Sequence, residues 1–220
     1  MANLREIVLD TETTGLRVKD GHRIVEIGCV ELVNKMRTGN TFHAYLNPQR
    51  KVDSAAYEVH GISDDFLTNK PIFSKVAGQF MDFIGDSSLV IHNAIFDMQF
   101  INQELTLSGR YTLPMSRSVD TLFLARKKFP GTQVNLNALC RRFNISLQAR
   151  EKHGALLDAE LLASVYIEMS NGKQGYIALE EDNCAEIVNR NANYPVRKFS
   201  VSNEEMKRHE YIMRLVHESS

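Results

Sequence analysis

Two rhythms of apolar and polar positions run along this chain. Residues 5–10 hold the apolar run Ile7-Val8-Leu9, closed by Asp10, which is the pattern of a central strand. Residues 23–33, RIVEIGCVELV, alternate well enough for a second strand, and 41–46, TFHAYL, for a third. Pro71 opens a helical stretch over 71–84, with Ile72, Val76, Phe80 and Phe83 on one face; proline suits a first helical turn. Residues 88–91, SLVI, form a short buried strand and 94–108 a helix. Residues 119–128 and 135–143 form two shorter helices, and 155–170 is the strongest helical pattern in the chain. Three strands followed by alternating helices and strands predict an α/β layer fold, a mixed sheet with helices on both faces. The composition changes after about residue 170. SNGKQG reads as a linker, and 171–200 is polar and Asn-rich without a clear period.

Composition narrows this picture only a little. A chain of 220 residues with 43% hydrophobic content is one medium domain, or one domain plus a tail. No apolar run is long enough for a membrane helix, and MANLREIVLD lacks a signal-peptide core. Cys29, Cys140 and Cys184 are too scattered for a disulfide framework or a zinc motif, which fits a reducing cytoplasm. The net charge of −1 is uninformative, but its distribution is not. Residues 110–152 carry nine bases against only Asp120 and Glu151, a local charge of +7 and a candidate footprint for a polyanion.

The acids raise the chemical question. The first strand runs into Asp10 and Glu12, at the strand end where open α/β sheets place ligands. A polar turn alone would account for those ten residues equally well. Asp97 lies near the start of the 94–108 helix, in line with Phe100, Ile101 and Leu105. The helix dipole explains an acid there, but not one facing the core. Asp158 repeats the oddity, with Leu161, Leu162 and Val165 on its side, while Glu160 falls on another face. His153 and Gly154 stand in the loop before that helix. Four carboxylates converging near a core would repel one another, and burying them without partners is costly. Oxygen ligands of this kind select a hard divalent cation such as Mg²⁺ or Mn²⁺. Two such ions about 4 Å apart form the clamp used in phosphodiester hydrolysis.

IVLDTETTGL, HNAIFDMQF and HGALLDAELLASVY resemble the three exonuclease motifs of the DEDDh superfamily, in order and in separation, over essentially residues 5–170. Within it the chain resembles the epsilon family, the proofreading 3′→5′ exonuclease subunits of bacterial DNA polymerase III, a DNA-directed DNA polymerase. The resemblance implies a ribonuclease-H-like fold, a five-stranded mixed sheet with its second strand antiparallel and helices on both faces. It also implies two Mg²⁺ or Mn²⁺ ions per site. On the family pattern Asp10 bridges both metals, Glu12 and Asp158 complete the tighter shell, and Asp97 supports the second metal. His153 is the general base, a role that suits an imidazole on a mobile loop. Thr13, Gly15, Val59, His60, Asn93 and Phe96 contact the terminal nucleotide, Phe96 by stacking on a base. Ala55 stands where the family often has an acid, so only a main-chain contact carries over there.

The tail separates the branches of the superfamily. Residues 197–217 begin with Phe199 and Val201, continue with a capping-box pattern at Ser202 and Glu205, and carry an apolar stripe of Met206, Ile212, Met213 and Val216. The stripe either folds back on its own domain or docks on another protein, helix in groove. It resembles the epsilon tail that binds the polymerase catalytic subunit. GKQGYIALEE resembles that family's sliding-clamp segment, with Gln174, Ile177 and Leu179 as anchors. The expected division is therefore an exonuclease domain at 1–170, a flexible clamp-binding linker at 171–200 and a helical polymerase-binding tail at 201–220. The expected partners are a DNA 3′ end, the polymerase and the clamp, in a bacterial cytoplasm and without a membrane. An RNA 3′-end trimming enzyme with the same site, and a non-catalytic assembly module, are the alternatives.

Overall fold

The computed structural model describes residues 4–147 and 153–171. β1 (Arg5–Thr13) lies at the middle of a five-stranded sheet. It pairs antiparallel with β2 (Ile24–Val33), which pairs antiparallel with β3 (Met36–Tyr45). On its other edge it runs parallel to β4 (Ser88–Ile91), and β4 runs parallel to β5 (Ser118–Asp120). The order is β3-β2-β1-β4-β5. Between β3 and β4 lie α1 (Ser54–His60), α2 (Asp64–Thr68) and α3 (Phe73–Ile84). Then come α4 (Ala94–Leu107), α5 (Thr121–Lys128), α6 (Leu136–Arg142) and α7 (Ala155–Asn171).

Strand alternation sorts the core into two layers. Ile7 and Leu9 pack with Phe73, Phe80, Met98 and Ile101 of α3 and α4. Val8 points the other way and packs with Leu139, Leu162 and Val165 of α6 and α7. Side chains alternate along a strand, so Asp10 and Glu12 share the α7 face with Val8 while Thr11 shares the α4 face with Leu9. The mixed sheet covered on both faces is as expected.

Several boundaries differ from the sequence reading. β1 continues through Glu12 to Thr13, so Asp10 sits inside the strand rather than at its end. β3 starts at Met36, not at 41, because its first half is exposed and polar. Asn34 and Lys35 both take positive φ, the geometry that closes a two-residue hairpin. Pro71 lies before α3 rather than in its first turn, and Ile72 is the N-cap. The start of the expected 119–128 helix is instead the fifth strand, three residues long, whose last residue Asp120 caps α5 by accepting from Leu122 and Phe123. α1 and α2 carried no clear period in the sequence. The readings on residues 174–216 lie outside the described residues. Among the described residues no helix is long and apolar enough to cross a membrane.

Candidate active site

One close approach builds the site. Asp10 on β1 pairs with Gly28 on β2, and a Cβ on Gly28 would lie 2.2 Å from the Leu156 nitrogen. Glycine therefore lets the first turn of α7 rest directly on the sheet. Glu26 fixes that turn: its Oε2 accepts from Ala155 N at 3.1 Å, while Oε1 meets Nε2 of His43 at 2.7 Å. β2 bulges opposite Glu12 and Thr13, where the register shifts; such irregularities often re-aim side chains beside active sites.

The result is that Glu12, His153 and Asp158 offer ligand atoms all within 4.8 Å of one another. Nδ1 of His153 is 3.2 Å from Oδ2 of Asp158, and the His153 side chain is 44% exposed whereas Asp158 is buried. Asp97 arrives from the opposite face of the sheet. Its Oδ1 accepts the Thr11 hydroxyl at 2.7 Å. Burial pushes the Asp97 carboxyl up to about 7, against the pull of the Thr11 hydroxyl, because a charge there is poorly solvated. Asp10, Thr11, Glu12, Asn93, Phe96, Asp97, His153 and Asp158 all line one pocket of about 380 Å³. Asn93 starts α4 with φ of 73°, a left-handed conformation that asparagine tolerates. The donors are mainly carboxylate oxygens, which fit hard divalent cations.

A second pocket, about 520 Å³, shares Thr11, Glu12 and Phe96 with the first. Thr13, Gly15, Ala55, Val59 and His60 line it, so the residues expected to hold a terminal nucleotide are brought together. His60 accepts the Ile62 amide on Nδ1, and its Nε2 lies 3.3 Å from the Thr13 carbonyl, so the proton sits on Nε2. The Thr13 hydroxyl donates to the Gly15 carbonyl at 2.7 Å, which leaves it an acceptor toward any ligand. Phe96 is half-buried, stacks on Phe100 with centroids 5.0 Å apart and still faces both pockets. The His153 amide donates to the Val59 carbonyl at 3.3 Å, tying the histidine loop to the second pocket.

Sequence reasoning missed His22, Asp53, His92 and Arg141. His22 lies beneath Gly15, where a Cβ would be 2.3 Å from its ring, and it bridges Thr14 at 3.0 Å and Asp53 at 3.4 Å. No spacing pointed to that network. His92 meets Thr121 at 2.9 Å, and burial holds its imidazole below the usual range. Arg141 lines the first pocket, and its one signal was the basic segment around it.

Comparison with known proteins bears on the family and the fold. The RNase_T exonuclease family model matches residues 7–166. The chain is 47% identical over 218 residues to the DNA polymerase III subunit epsilon of Rickettsia felis, covering 95% of each. It is 51% identical over 176 residues to the epsilon subunit of Escherichia coli, covering 77% of this chain and 72% of that one. Among solved structures it is similar to exonuclease X in complex with 5′ overhanging duplex DNA (TM-score 0.60, 25% identity, 78% of this chain and 94% of that one). The nuclease domain of 3′hExo, a DEDDh family member bound to rAMP, shares the fold at TM-score 0.66 and 20% identity, over 78% of this chain and 94% of that one.

Proposed function

The chain belongs to the exonuclease family, and from that premise we propose that it removes mispaired nucleotides from the 3′ end of primer DNA as the proofreading subunit of DNA polymerase III. The observation that carries the chemistry is the convergence of Glu12, His153 and Asp158 beside Asp10, with Asp97 reaching the same pocket from the other face of the sheet. Asp10, Glu12, Asp97 and Asp158 would hold two divalent ions, Mg²⁺ or Mn²⁺. When bound, these ions supply charge neutralisation at the phosphate and acidify water. His153 stands at the open side of this cluster and takes the proton from the attacking water. Asp158, within reach of Nδ1, orients that imidazole. Gly15, Val59, His60 and Phe96 seat the terminal sugar and base, and Phe96 stacks without reading sequence. Selection for mispaired ends then follows from fraying, since an unpaired base costs less to splay out.

The similarity to the Rickettsia relative extends past the exonuclease domain, which supports a shared tail. In this reading Phe199, Met206, Ile212, Met213 and Val216 dock on the polymerase, and Gln174, Ile177 and Leu179 engage the clamp. A tether of this kind raises the local concentration of the nuclease at the primer end while leaving it mobile. The protein then works in the cytoplasm, where its polymerase does.

The test uses purified chain with Mg²⁺ on primer–template DNA carrying a mispaired 3′ end, and on single-stranded RNA of the same sequence. Metal-dependent 3′ shortening of the DNA, faster than of the RNA and lost in Asp10→Ala, is expected. Preferential shortening of RNA would move the chain to the trimming branch. Inactivity on both, with the fold intact, would overturn the nuclease reading.

A further inference from the structure

The basic segment at 110–152 divides once its side chains are placed. Arg117 donates to the carbonyls of Ser87 at 2.9 Å and Ile84 at 3.2 Å. Lys128 donates to the Met169 carbonyl at 2.6 Å, and Arg142 lies over the Phe129 ring, 4.3 Å from its centroid. These cations hold the fold. Arg150 and Lys152 lie outside the described residues. Arg141 differs from its neighbour Arg142: it is exposed, it stands in the wall of the acid-lined pocket, and its guanidinium makes no hydrogen bond or ion pair among the described residues. Arg126 stands close enough to His92, in the same wall, to oppose its protonation.

Substrate geometry gives this arginine a task. The terminal nucleotide fills the pocket of Gly15, Val59 and His60, and the bond to be cut lies at Glu12, His153 and Asp158. Both pockets meet at Glu12 and Phe96. A strand whose last residue sits on one side of that junction leaves across the other, past α6 and Arg141. The other charged groups of that pocket are chiefly carboxylates, which repel a phosphate. A guanidinium with no partner among the described residues suits a phosphate oxygen pair, by two parallel hydrogen bonds. We propose that Arg141 binds the phosphate immediately 5′ of the scissile one, a second-nucleotide subsite that holds the strand in register. This rests on the exonuclease reading above.

The test compares two substrates in Mn²⁺. One is a single-stranded oligothymidylate. The other is the 4-nitrophenyl ester of thymidine 5′-monophosphate, which has one phosphate and no upstream nucleotide. The readout is the ratio of the two kcat/KM values. Arg141→Gln should lower that ratio about tenfold, mainly through KM for the oligonucleotide. The slope of log affinity against log salt should shrink by about 0.7, the share of one phosphate contact on a single strand. Arg141→Lys should restore part of the ratio. Lys127→Gln removes the same charge from exposed α5 outside the pocket and should leave the ratio within about twofold. An unchanged ratio in Arg141→Gln, or an equal fall in Lys127→Gln, would overturn the subsite while leaving the nuclease intact. A wild-type chain that hydrolyses neither substrate would overturn the nuclease reading itself, and the subsite with it.

Discussion

A carboxyl group held like that of Asp97, with its proton kept to about pH 7 by burial, stabilises the metal-free fold only while it stays neutral. In the unfolded chain the same group ionises near the ordinary aspartate value of 3.8. Between these values the folded state binds more protons, so stability falls as pH rises through the window and stays lower above it. Asp97→Asn removes that dependence. In EDTA the variant should be more stable than wild type at pH 8, on the order of 2 kcal/mol by urea unfolding, with the gap closing toward pH 4. It should also lose nearly all nuclease activity. Thr11 offers a second check: Thr11→Val removes the hydroxyl that orients Asp97 and should weaken Mn²⁺ binding about tenfold by calorimetry, while Thr11→Ser retains it. The acids themselves were legible because each sits in a short motif with an apolar stripe around it. The Thr11–Asp97 bond was not, since it joins two motifs separated by 86 residues across the sheet. Arg141 escaped for a related reason: a single base among nine says nothing about which pocket it faces.

At the scale of elements, α7 depends on what lies beneath it. Gly28→Ala would drive a methyl group into the Ala155–Leu156 backbone, which no side-chain movement relieves. The expected cost is about 1–3 kcal/mol in urea unfolding. The loss of activity should be larger than the loss of stability implies, because the same shift moves Asp158 and His153 away from Glu12. β1, β2 and α7 were legible through their apolar patterns. β5 was not, since three half-buried residues give too short a run for any period to show. The first half of β3 was hidden for the opposite reason: an exposed edge carries a polar sequence. Pro71 misled because proline also suits the extended segment before an N-cap.

At the scale of the whole molecule, the described residues hold two core layers of their own, one on each face of the sheet, and the family match ends at residue 166. A chain ending at 171 should therefore keep its exonuclease rate on short DNA within about twofold, while losing association with the polymerase in gel filtration. Any loss of nuclease activity on truncation would show that the tail completes the site. Within the domain, the bond from the His153 amide to the Val59 carbonyl joins two tasks that the sequence keeps nearly a hundred residues apart. In the proposed function Val59 belongs to the wall that grips the terminal base, and His153 handles the proton of the attacking water. An ill-fitting or damaged base that pushed this wall outward would then draw the histidine away with it. With those roles the bond would work as a safety interlock: a correctly seated end would arm the cutter, and a lesion that jams the seat would stall excision instead of provoking it.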